Sequence, residues 1–144
     1  MEREFLTEQE VQRIEQAIVE AEKVCRGEIR IHITHKSDYD DVLMAAVDKF
    51  AELGMDNTEE RNGVLIYICP VKKEFAIIGD EGINKLVGQD FWDATRDAMV
   101  QEFKKGRFAD GLIAGIKQAG ASLAKFFPGQ PASRNQLPNH ISYD

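Results

Sequence analysis

Cysteine, histidine and clustered positive charge are all scarce in this chain, and each scarcity removes a class of function. The 144 residues include two cysteines and three histidines. Cys25 and Cys69 form no C-x-x-C and have no histidine at zinc-ligand spacing, so neither a disulfide framework nor a zinc site is supported and two buried free thiols are expected. Acidic residues outnumber basic ones 25 to 18, for a net charge of −7, and basic residues adjoin only at Lys72-Lys73 and Lys104-Lys105. That leaves no electrostatic footprint for nucleic acid. No stretch approaches the roughly 18 apolar residues of a membrane helix. The opening "MEREFLTEQE" has neither the basic start nor the apolar run of a signal peptide. The expectation is a soluble, cytoplasmic chain with neither membrane nor nucleic acid among its partners. A Walker loop, a G-x-S-x-G elbow, an H-E-x-x-H helix and the phosphate loop of cysteine phosphatases are missing too. No recognisable nucleophile and base pair stands in the sequence, which weakens every enzyme reading.

What is present reads as one domain over residues 1–127 with a tail, 128–144, that lacks periodicity and is expected to be disordered. Thr7-Glu8-Gln9-Glu10 is a capping-box pattern, and Val11, Ile14, Ile18 and Ala21 follow at helical spacing. Residues 28–34, "EIRIHIT", alternate polar and apolar, which predicts a strand with one buried face. Helical period returns from Asp40 to Leu53 through Val42, Leu43, Ala46, Val47 and Phe50, with Gly54 as the stop. The continuous apolar run 64–69 predicts a strand covered on both faces. Only residues 70–74 separate it from "FAII", too short for a crossover, so the two should pair as an antiparallel hairpin. Two further helices are predicted, over about 89–105 with Trp92, Met99 and Phe103 inward, and over about 108–126 with Gly111, Gly115 and Ala119 on a small-residue packing face. The expected fold class is α/β: a three-layer α/β/α sandwich whose small mixed sheet combines a parallel strand pair with an antiparallel hairpin, flanked by about four helices.

A right-handed crossover would make strands 28–34 and 64–69 parallel. Gly27-Glu28, Arg61-Asn62-Gly63 and the loop "GDEG" at 79–82 then meet at one end of the sheet, with Asp90 and Asp93 expected close by. Convergence of Glu28, Asp80, Glu81, Asp90 and Asp93 calls for positive charge, and hard oxygen donors of this kind suit Ca²⁺ or Mg²⁺ rather than zinc. Arg61 is the other source of neutralisation. In the plainer reading Asp80 makes a turn, Glu81 is solvated, and Asp90 with Asp93 caps a helix.

Asp38-Tyr39-Asp40-Asp41-Val42 satisfies the short D-x-D-x-[T/V] pattern of aspartyl-nucleophile phosphatases. The preceding strand is half polar, however, and "HKS" intervenes, so an acidic turn that starts a helix is expected. His32 shares the polar face of its strand with Arg30 and Thr34 and reads as a surface or edge residue, as does His35 at the strand end.

In combination, "FLTEQEVQRIEQAI", "GEIRIHI", "RNGVLIYICP", "IIGDEGI" and "GRFADGLIAGI" make residues 5–127 resemble the TPM domain family, as a short soluble bacterial-type branch. The resemblance implies an α/β/α sandwich, an acidic cluster able to hold a divalent cation, and a phosphatase activity attributed to plastid members. It places a metal role on Asp80 and Glu81, in the Gly-rich acidic loop, while Glu28, Asn62 and Asp93 are proposed from topology. Where many members open the last helix with Gly-Asp-Tyr, this chain has Gly106-Arg107-Phe108, with Asp110 as the nearby acid. Three functions follow as expectations: a module that binds a divalent cation, Ca²⁺ or Mg²⁺, at the acidic loop; a metal-assisted phosphomonoesterase with Arg61 on the oxyanion; and a scaffold that meets another protein.

Overall fold

The computed structural model describes residues 6–129 and 141–144. Five helices and a four-stranded sheet occur among them, in the order α1 (Glu8–Glu22), β1 (Glu28–Ile33), α2 (Val42–Glu52), β2 (Gly63–Cys69), β3 (Glu74–Gly79), α3 (Glu81–Asn84), α4 (Gln89–Lys104), α5 (Phe108–Phe126) and β4 (Ser142–Tyr143). The capping box closes as its spacing predicts: the Glu10 amide donates to the Thr7 hydroxyl at 3.1 Å, and the Thr7 amide donates to the Glu10 carboxylate at 2.9 Å. Asp41 caps α2 by accepting from the Leu43 amide, so the phosphatase-like pentapeptide is a helix start.

β1 and β2 run parallel and β2 and β3 antiparallel, as the connection lengths require. The register puts Ile29, Ile31 and Ile33 level with Val64, Ile66 and Ile68, facing α1, α4 and α5 across the main core. Leu65, Tyr67 and Ala76 face the other way, onto Ala46 and Phe50 of α2. This is an α/β sandwich with three helices on one face and α2 on the other. The small residues of α5 do what their size allows: Gly111 lies against the Phe103 ring, Gly115 against Met99 and Gly120 against Ala21. α2 departs from its periodicity, because only Ala46 and Phe50 are buried while Leu43 and Val47 join Met44 on its solvent side. An eleven-residue helix alone on its face has no neighbour to cover a second apolar stripe.

β1 is buried along its whole length, polar residues included, where alternation predicted one exposed face. At its C-terminal end the cause is β4, which pairs parallel to His32 and Ile33 and gives the order β3-β2-β1-β4. Residues 141–144 therefore correct the expectation of a disordered tail, while 130–140 lie outside the described residues. Ile141 is buried, and Asp144 exchanges backbone hydrogen bonds with Ile33 and His35. His32, expected at the surface, is 2% exposed, with Nδ1 2.6 Å from Ser142 Oγ and its ring stacked on Tyr67. Burial raises the Asp144 carboxyl, but hydrogen bonds from Lys49 and Thr34 and the proximity of His32 outweigh it and hold the group at about 2.

A folded-state value below the ordinary 3.8 means that ionised Asp144 stabilises the fold above pH ~4 and that this is lost as pH falls through about 2. Asp144→Asn should cost about 2 kcal/mol at pH 7 and much less near pH 2, measured by urea unfolding at each pH.

Candidate functional site

The loop between β3 and α3 is built by an exchange of contacts with the loop before β2. The Asp80 amide donates to the Gly63 carbonyl at 2.9 Å, closing the end of the β2–β3 ladder. Asp80 then caps α3 by accepting from the Glu81 amide at 2.7 Å. The short α3 was not anticipated, because four residues carry no periodicity. Gly82 packs so closely on the 60–61 backbone that a Cβ there would stand 2.1 Å from the Glu60 carbonyl oxygen.

Arg61 sits at φ +52, an uncommon conformation for a side chain with a Cβ, and from it reaches the loop. Its Nε donates to Asp80 Oδ2 at 2.8 Å and Nη2 to Oδ1 at 3.0 Å, while Nη1 lies 3.5 Å from Glu81 Oε2. Asp80 is 6% exposed, whereas the Arg61 side chain is 40% exposed. Hydrogen bonding to Asp80 raises the guanidinium pKa still further above its ordinary value. One positive group thus bridges two carboxylates, the alternative source of neutralisation considered from the sequence.

The other expected ligands are distributed unevenly. Asn62 adjoins Gly63 and is buried, and its Nδ2 has no hydrogen-bond partner among the described residues. Glu28 is buried at the start of β1, in register with Gly63. Asp93 accepts from Gln89 on its own helix, and Asp90 is an exposed first-turn residue of α4. Among the described residues no three of His, Cys, Asp and Glu gather as a metal-binding group, so the predicted meeting of five carboxylates is not formed. α3 stands between Asp80 and the start of α4, which carries Asp90 in its first turn and Asp93 beyond it.

Two charged groups at this end were missed. Arg26 forms a two-pronged pair with Glu60 at 2.7 and 3.0 Å. Glu22 of α1 is 4% exposed, and its Oε2 accepts from the Ile29 amide at 2.9 Å while Oε1 has no partner among the described residues. Burial, with the nearby Glu28 adding to it and the Ile29 amide opposing, pushes Glu22 up to about 7. A signal was available: Ile14, Ile18 and Glu22 recur every fourth residue, which puts the acid on the buried stripe.

Asp110 pairs with Arg13 at 2.6 Å and Arg107 approaches Glu102 at 3.7 Å. Both stand at the α4–α5 corner, at the hairpin end of the sheet and away from Asp80. Ser142, His32 and Asp144 have the composition of a hydrolase triad without its access. His32 is buried, and its Nε2 lies 3.2 Å from Asp144 Oδ2 without the alignment of a hydrogen bond.

A family model described as the TPM domain matches residues 1–122. The NMR structure of the BA42 protein from the psychrophilic bacterium Bizionia argentinensis is similar at a TM-score of 0.90 and 48% identity, over 97% of this chain and 96% of that one. The N-terminal domain of a P. gingivalis protein (TM-score 0.67, 14% identity, 85% of this chain and 79% of that one) shares the fold. So does the N-terminal domain of cg2496 from Corynebacterium glutamicum (0.67, 15%, 94% and 84%). Nothing among the curated proteins matches. Among the described residues no helix is long and apolar enough to cross a membrane.

Proposed function

The chain belongs to the TPM domain family, and from that premise we propose that its Asp80 loop takes up a divalent cation, Ca²⁺ or Mg²⁺, in exchange for the Arg61 guanidinium. The observation that carries the reading is the bridge itself: in a chain of net charge −7, a half-exposed cationic side chain already stands between Asp80 and Glu81. Those carboxylates, with the Glu60 and Arg61 carbonyls packed on Gly82, are hard oxygen donors of the kind that Ca²⁺ and Mg²⁺ prefer. Arg61 and the ion compete for the same oxygens, so the site is gated by a charge the protein supplies. Asn62 and Glu28 lie behind it; Asp93 serves its helix. A phosphomonoesterase would need this cation first, and hydrolysis of aryl phosphates is worth assaying once uptake is found. The cysteines favour a cytoplasmic setting, since both are buried, free thiols suited to a reducing compartment.

Calorimetry and thermal unfolding with millimolar Ca²⁺ or Mg²⁺ test the exchange. A ligand at about 100 times its dissociation constant adds roughly 2.7 kcal/mol to the native state. Wild type should shift upward in Tm, Arg61→Gln should bind more tightly than wild type, and Asp80→Asn should lose the response. No shift in any of the three proteins would return the loop to a structural ion pair and leave the protein-interaction reading ahead.

A further inference from the structure

At the opposite end of the sheet the hairpin turn, the end of α4 and the start of α5 enclose a cavity of about 310 Å³. Its walls are aromatic. Phe75 meets Phe103 edge to face at 5.3 Å between ring centroids, and Phe103 meets Phe108 at 5.8 Å. Phe108 remains 40% exposed, an aromatic ring left at the mouth of a cavity. Pro70 closes the hairpin side. The polar part of the lining holds two ammonium groups and one carboxylate, Glu74, which already accepts from the Tyr39 hydroxyl at 3.0 Å. Lys73 is placed there by the left-handed turn residue it occupies, at φ +56, and Lys104 by the last turn of α4. Both are exposed, and neither has a carboxylate partner among the described residues, although acids outnumber bases in the chain. Neighbouring Lys72, by contrast, lies over the Tyr39 ring and 3.9 Å from Glu74.

We propose that this corner is a binding site for a small carboxylate with an aromatic body, the ring entering among Phe75, Phe103 and Phe108 and the carboxylate meeting Lys73 and Lys104. The volume lies at the lower end of the range for small-molecule sites, which limits the ligand to one ring and a short chain. Apolar walls reward ring burial, and two ammonium groups at one mouth select a negative end over a neutral one. The site stands apart from the Asp80 loop, shares no residue with it and needs no metal, so either reading survives failure of the other.

The probe is 3-phenylpropionate, titrated into the ¹⁵N-labelled full chain, with 3-phenylpropanol and acetate in parallel. The acid should give saturable shifts at the amides of Phe75, Phe103 and Phe108. The alcohol, with the same ring and no charge, should bind about tenfold more weakly, as two partly solvated ion pairs would suggest. Lys73→Gln with Lys104→Gln should weaken the acid by a similar factor and leave the alcohol unchanged. Phe108→Ala, at an exposed ring, should weaken both, and acetate should leave these amides unmoved. Acid and alcohol binding equally, shifts mapping to another surface, or no saturation would each overturn the assignment.

Discussion

Replacing Gly82 of α3 by alanine is expected to destabilise the protein by about 3 kcal/mol or more. Two backbone carbonyls cause it: an added Cβ would stand 2.1 Å from Glu60 O and 2.4 Å from Arg61 O. A side chain can swing away from such a contact, but these oxygens belong to the loop that carries Arg61 toward Asp80. Relief therefore requires the 60–61 backbone to retreat, which opens the Arg61–Asp80 pair and the Asp80–Gly63 hydrogen bond together. Urea unfolding should show a lower midpoint at unchanged slope. Gly88→Ala is the control, because nothing lies within 4 Å of a Cβ there, and it should change stability by less than about 1 kcal/mol. Equal effects at the two glycines would mean that the close approach is not a feature of the folded state.

Glu22→Gln should stabilise the protein by roughly 3 kcal/mol at pH 8. The carboxyl sits at about 7 in the folded chain against an ordinary 4.5, chiefly because burial disfavours its charge. A raised carboxyl favours folding while protonated: its contribution is complete below pH ~4.5 and is lost as pH rises through about 7. Glutamine keeps an oxygen for the Ile29 amide without the charge. The difference between variant and wild type should therefore shrink toward zero as pH falls to ~4.5. His32, which burial holds below its ordinary value, and Asp144 titrate in both proteins and cancel in the comparison. A difference that stays constant from pH 8 to 4.5 would mean that Glu22 is not buried as an acid.

The acidic end was legible only in part. A turn at Asp80, in the loop from Gly79 to Gly82, was one of the two readings open from local chemistry; the helix that Asp80 caps was not foreseen. Its neighbour Arg61 was also readable, since the parallel and antiparallel pairings force the 60–63 loop and the 79–82 loop to one end. Which carboxylates face each other was not. That depends on how far α3 carries the chain before α4 begins, and a four-residue helix leaves no trace in hydrophobic period.

By itself, the sequence determined the order of the long elements, their caps, the hairpin and the helix-side core, because each rests on interactions between residues a few positions apart. Period 3.6 gave α1, α4 and α5, and the unbroken run 64–69 marked the strand buried on both faces. Only tertiary structure decided that β1 is not an edge. His32, in its polar row, is covered once the distant residues 141–144 are seated beside it. Only tertiary structure, likewise, left the Leu43, Met44 and Val47 side of α2 in solvent. Periodicity specifies that a face is apolar; whether anything covers it depends on which distant segment the chain has left to place there.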